Sequence, residues 1–404
     1  MIEGKTITPS PKLRTLPVGR QALSSYEHGG DIYRFAAGLG VSENKIVDFS
    51  ASINPLGISQ RVRLEICNHI GSLHNYPDSD AERLSTILGK YHGVNPKSII
   101  CGNGSTELIY LITKALKPKN VLIPTPTFSE YERACRMANF KFQISNFKLT
   151  ENNNFDINPD EFISAMKGCD TAFLCNPNNP TGRLLGKDSV LKIAKAAKKL
   201  KCYLIVDEAF IDFCPEESVV RSVEDNPCFI VLRSMTKFYA LSGLRAGFGV
   251  FPLNLIDRLK KFKEPWTVNT LAQKASLTAL DDYDYANRTF KLIKKEKQFL
   301  EENFKKSGVR FIPSDANFYL LKIENAGKAI ACLRKKGILV RDCSTFRGLD
   351  GSYIRIAVKL RKHNKILLNE IMKFYTTNNG RHFRESGNPE KKNWIPHSRN
   401  IGTE

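Results

Sequence analysis

The sequence has no CxxC pair, although it contains ten cysteines. Without clustered thiolates there is no ligand set for a structural zinc or an iron–sulfur centre, so no metal is expected. The cysteines are scattered through apolar stretches, which reads as free core thiols in a reducing cytoplasm. There is no long apolar run and no recognisable signal peptide, so no membrane partner is expected. Nucleic-acid motifs are missing too, as is any dense basic block with interleaved aromatics. The net charge of +20 is therefore not read as a nucleic-acid footprint. Much of it is helix-surface lysine, as in "KLIKKEKQFLEENFKK", which favours solubility and attracts small anions.

What is present is ordinary globular material. A hydrophobic content of 42% over 404 residues supports a sizeable core and two domains. "NVLIPTP", "TAFLCNP", "CYLIVDEAF" and "CFIVLRS" read as buried strands, and "DSVLKIAKAAKKLK" has helical periodicity. Strand, helix, strand at this spacing is the βαβ signature of a parallel sheet. Farther on, a long charged helix precedes "ANFYLLKI", "GILVRDC" and "YIRIAV", suggesting a smaller α+β domain. The expected organisation is a mobile arm over 1–27 and an N-terminal segment, 28–75, serving the small domain and dimer contacts. A large domain over 76–286, a small domain over 287–375 and a disordered tail over 376–404 follow. Trp394 is a side chain of that tail that could dock on the body of the protein.

Three features fall at strand ends of the expected sheet. "CNPNNPTG" follows TAFL, Asp207 ends YLIV, and Lys237 in "RSMTKFYALSGLR" follows FIVL. Each has a plainer explanation alone: a turn, a helix cap, a solvated strand end. In this order and spacing they point to one site, because open parallel sheets bind ligands at the carboxyl ends of their strands. A lysine amine can condense with an aldehyde, a carboxylate can keep a ring nitrogen protonated, and an amide can donate to a ring oxygen. Lys237, Asp207 and Asn179 thus offer the three handles that pyridoxal 5′-phosphate needs. Its phosphate would meet the Gly-rich turn "CGNGSTE", where Gly104, Ser105 and Thr106 open a helix. Ser234, Thr236 and Arg245 flank the lysine and add hydroxyl and guanidinium donors. Phe128 in "PTPTFSEY" would stack on the ring, or serve only as a core aromatic.

These stretches, with "HGGDIYRFAAGLG", "DFSASINPLG", "YPD", "DEAFIDF" and "YIRIAV", resemble the fold type I pyridoxal-phosphate enzymes. The resemblance is to the histidinol-phosphate aminotransferase branch and, within it, to the threonine-phosphate decarboxylases of cobalamin biosynthesis. It implies a large domain with a mainly parallel seven-stranded sheet and a smaller α+β C-terminal domain. It further implies a phosphorylated amino-acid substrate and a homodimer with shared sites, Tyr76 reaching the neighbouring subunit's cofactor phosphate. Arg355 and Arg341 are implied as anion-binding arginines, with His28 and Gly29 near the substrate. Two residues depart from the pattern. Phe210 stands where aminotransferases of the branch usually carry tyrosine, which favours the decarboxylases, and Ser52 stands where decarboxylases carry asparagine. The alternative activity is a histidinol-phosphate-type aminotransferase. A cofactor-lacking relative or a nucleic-acid binder is disfavoured by the intact lysine, aspartate and asparagine set.

Overall fold

The computed structural model describes residues 28–138 and 141–379. The expected arm over 1–27 and residues 380–404, Trp394 included, lie outside the described residues. In chain order the strands are β1 (Val47–Asp48), β2 (Ile99–Asn103), β3 (Asn120–Thr125), β4 (Gln143–Lys148), β5 (Thr171–Cys175), β6 (Tyr203–Asp207) and β7 (Phe229–Ser234). They continue as β8 (Ala246–Val250), β9 (Arg310–Phe311), β10 (Phe318–Lys322), β11 (Ile338–Leu339), β12 (Arg341–Asp342) and β13 (Tyr353–Ala357).

Strands β2 to β8 form one seven-stranded sheet in the order β2-β8-β7-β6-β5-β3-β4. The pairings among β3 to β7 are parallel, and β8 alone runs against its neighbours β2 and β7. The apolar runs read from the sequence are its central strands. Strand alternation divides each run between two cores. Leu204 and Val206 of β6 join Ala172, Leu174, Phe229 and Val231 on one face, while Ile205 joins Phe173, Ile230 and Leu232 on the other. Full burial of such a side chain contributes about 1.5–3 kcal/mol relative to exposure. The carboxyl ends of β5, β6 and β7 therefore stand on the most firmly held part of the sheet. The crossover helix Lys187–Leu200 buries Val190, Ile193, Ala194 and Ala197, one face at helical spacing, and leaves its lysines outward.

The flanking strands β2 and β8 were not legible as strands, because glycine interrupts both. Glycine is required in β8. A Cβ on Gly247 would lie 2.3 Å from the Ser105 amide nitrogen, so the bare backbone lets the helix Gly104–Leu116 start against the sheet.

The second unit is the antiparallel sheet β12-β13-β10-β9, with β1 and β11 as a separate parallel pair. Its core joins Phe49, Tyr319, Ile354 and Ile356 to the helices Tyr283–Lys306, Ala326–Lys335 and Arg361–Asn379. Four sequence readings need adjustment. "GILVRDC" is two strands in two sheets rather than one, since β11 pairs with β1 and β12 with β13. Residue 287 falls inside the helix Tyr283–Lys306, whose capping Asp282 side chain accepts from the Tyr285 amide. Residues 376–379 belong to the closing helix rather than to a tail. Cys67 and Cys332 are exposed and Cys228 is half-buried, while the other seven cysteines are in the interior. No helix among the described residues is long and apolar enough to cross a membrane.

Candidate active site

The carboxyl ends of β5, β6 and β7 open into a cavity of about 430 Å³, roofed by β12, β13 and the segments around His28 and Ser50. Every site residue expected from the sequence lines it except Gly104 and Tyr76. Gly104 sits at its edge beneath Arg245. Tyr76 is 83% exposed, with its ring 5.1 Å from that of Trp266, and takes no part in the cavity of its own chain.

Lys237 follows β7 by three residues, and its amine lies 5.6 Å from the Phe210 ring centre. Burial, reinforced by the charges of Arg355 and Arg245, pushes the amine down to about 8, with Asp207 pulling the other way. The parallel register places Asp207 beside Cys175 of β5 and Leu232 of β7. Its carboxylate accepts from the Tyr131 hydroxyl at 2.8 Å and the Ala209 amide at 3.0 Å. Burial nevertheless raises its pKa, against those donors and the Lys237 charge. A cation bound beside Asp207 would restore its charge. Asn179 lies in the turn after β5, which the Asn178 side chain organises by donating to the Pro126 carbonyl at 3.0 Å and accepting from Thr127 at 2.7 Å.

The opposite end of the cavity is a donor cradle. The helix Gly104–Leu116 begins there, with Gly104 at φ +75. A Cβ on Gly104 would lie 2.5 Å from Nη2 of Arg245, so only glycine lets the guanidinium pack onto the helix start. Ser234 and Thr236 set their hydroxyls 2.7 Å apart in the same wall. Backbone amides at a helix start, two hydroxyls and an arginine are the donor set of a phosphate site. With Lys237, Asp207 and Asn179 beyond it, the cavity fits pyridoxal 5′-phosphate.

The roof is cationic. Arg341 of β12 and Arg355 of β13 are direct partners across the antiparallel pair, and both are buried. Like charges so placed destabilise a sheet unless an anion lies between them. The Arg355 guanidinium donates to Asn179 Oδ1 and, at 2.8 Å, to the Ser50 carbonyl, while its buried Nε has no partner among the described residues. Burial, with the Arg341 charge adding, pushes Arg355 down to about 10. The Ser52 hydroxyl is likewise buried without a partner among the described residues. Phe210 packs edge-on against Phe318, ring centres 4.9 Å apart, and offers no hydroxyl.

Sequence reading missed Tyr131 and Glu130. Both lie in "PTFSEY", two and three residues past Phe128, but nothing local says that one supports Asp207 and the other meets His28. His28 Nε2 lies 2.8 Å from Glu130 Oε1, and the Phe128 ring is 5.9 Å from the imidazole. Gly29 is held so close to the Ser50 carbonyl oxygen that a Cβ would lie 2.3 Å from it.

Residues 44–371 match the family model described as "Aminotransferase class I and II". The chain is 36% identical over 351 residues to a threonine-phosphate decarboxylase of Salmonella typhimurium, covering 86% of this chain and 96% of that protein. Among solved structures it is similar to the histidinol-phosphate aminotransferase of Clostridium acetobutylicum, at 32% identity and a TM-score of 0.76, covering 81% of this chain and 99% of that one. It is also similar to the L-threonine-O-3-phosphate decarboxylase of Porphyromonas gingivalis, at 27% identity and a TM-score of 0.72 with the same coverage, 81% and 99%.

Proposed function

Because this chain belongs to the class I and II aminotransferase family, we propose that its cavity binds pyridoxal 5′-phosphate and decarboxylates L-threonine O-3-phosphate. The product is (R)-1-amino-2-propanol O-2-phosphate, and the reaction is a step of cobalamin biosynthesis. The observation that carries the reading is the pairing of Arg341 with Arg355 over the cavity. Arg341, which also donates to Thr345 at 3.0 Å, and Arg355 line one cavity and suit a ligand with more than one anionic group. Threonine phosphate carries a carboxylate and a phosphate. Each charge-assisted hydrogen bond contributes about 1.5–3 kcal/mol.

The cofactor, when bound, supplies the electron sink for the bond that breaks. The chain supplies position and charge. Gly104, Ser105, Thr106, Ser234, Thr236 and Arg245 would hold the phosphate end, and Lys237 the aldehyde end. Asp207, buttressed by Tyr131, would keep a cationic ring nitrogen paired, Asn179 would meet the ring oxygen, and Phe128 would cover a ring face. His28, Gly29, Arg341 and Arg355 orient the substrate so that its Cα–carboxylate bond is the one aligned for cleavage. With a pKa near 8, the Lys237 amine can hold a proton and return it to Cα.

The working unit is a homodimer. Tyr76, exposed and outside its own cavity, serves the phosphate in the neighbouring subunit. The test is product analysis. Purified protein loaded with cofactor should release carbon dioxide from L-threonine O-3-phosphate with no 2-oxo acid present. Robust amino transfer from histidinol phosphate to 2-oxoglutarate, without carbon dioxide, would make it an aminotransferase instead.

A further inference from the structure

Glu130 is a buried carboxylate in the wall of a cavity that otherwise gathers cations for an anionic ligand. It lines the space with Arg133, Arg341, Arg355 and Lys237, and its side chain is only 4% exposed. A carboxylate there opposes an anionic substrate unless its charge is committed elsewhere. It is committed. Oε1 lies 2.8 Å from His28 Nε2, Oε2 accepts from the Tyr110 hydroxyl at 2.5 Å, and Arg133, one turn on, lies 3.4 Å away. Burial works against the charged form, yet the hydrogen bonds from His28 and Tyr110 hold the pKa below the usual carboxylate range.

The three anchors differ in origin. Glu130 opens the helix Glu130–Met137, Tyr110 lies on the helix Gly104–Leu116 that begins at the phosphate cradle, and His28 belongs to the chain segment that roofs the cavity. His28 is 44% exposed, and its imidazole reaches the large domain across a separation of 102 residues through this contact. We propose that Glu130 is a positioning residue that sets the His28 imidazole for the anionic end of the substrate. The proposal rests on the decarboxylase reading above. With Nε2–H donated to the carboxylate, Nδ1 is the ring nitrogen left to meet a ligand. Tyr110 ties that choice to the helix that holds the cofactor phosphate, so both phosphate groups are referenced to one rigid element.

The test is a double-mutant cycle on the cofactor-loaded enzyme. Glu130→Ala should raise KM for L-threonine O-3-phosphate about tenfold and leave kcat within about twofold. Adding Glu130→Ala to His28→Ala should cost nothing further, because the first change acts only through the second residue. Additive losses, or a fall in kcat with KM unchanged, would overturn the proposal. Glu130→Gln, which keeps the packing, repeats the cycle should the alanine variant fail to fold. If the wild type releases no carbon dioxide, the decarboxylase reading fails by itself. The same cycle is then read by calorimetry with histidinol phosphate, where a non-additive pair still supports the positioning role and an additive pair refutes it.

Discussion

Replacing Gly247 by alanine adds one methyl group to β8, at a position that does not itself line the cavity. The new Cβ would lie 2.3 Å from the Ser105 amide nitrogen and 2.7 Å from the Gly104 carbonyl carbon, against ordinary contacts that begin at 3.4 Å. Both neighbours are backbone, so no side chain can swing aside. The start of the helix Gly104–Leu116 must retreat by about 1 Å, an overpacking that costs about 1–3 kcal/mol. The same retreat draws the Ser105 and Thr106 donors away from the phosphate end of the cavity. Losing about one charge-assisted contact, worth about 1.5–3 kcal/mol, predicts a ten- to hundredfold weaker hold on pyridoxal 5′-phosphate. Apoprotein of each form would be titrated with the cofactor and followed by visible absorbance, with a thermal melt to show that the variant folds. A folded Gly247→Ala protein that binds cofactor as tightly as the wild type would refute the cradle geometry.

The Lys237 amine, held near 8, attacks an aldehyde only when neutral, so cofactor uptake by the apoprotein should rise with pH and level off above about 8. A rate still climbing toward 10.5, the ordinary lysine value, would show that the amine is not perturbed. Tyr131→Phe removes a donor to the charged form of Asp207, so the Asp207 pKa must rise and the acid limb of the rate profile must move to higher pH. A limb that stays in place would mean that Asp207 does not govern it. Mixing inactive Lys237→Ala and Tyr76→Ala subunits should restore some activity if Tyr76 acts across a dimer. Proven subunit exchange with no recovery would count against a shared site.

The proposed catalytic trio was legible because its signal is local. A strand buried on both faces must be an apolar run, and its carboxyl end must pass into a loop. Asn179, Asp207 and Lys237 could therefore be assigned to one edge of one sheet before any contact was known. The crossover helix and the glycine turn before Ser105 are short-range features of the same kind. The resemblance to the pyridoxal-phosphate enzymes rests on these same stretches.

By itself, then, the sequence determined the α/β class of fold and the strand ends that carry the proposed cofactor handles, which follow from residue type and from periodicities of two and 3.6 residues. The phosphorylated substrate is what the family resemblance implies. Only the tertiary structure decided how distant segments meet. It set Arg341 opposite Arg355, turned Tyr131 onto Asp207 and His28 onto Glu130, and brought β8 so close to Ser105 that Gly247 admits no side chain. It also ran the last helix on through Asn379. The reason is physical. Periodicity reports which face of an element is buried, whereas register between strands and the approach of a helix to a sheet are settled by packing among residues up to hundreds of positions apart. No local pattern encodes that separation.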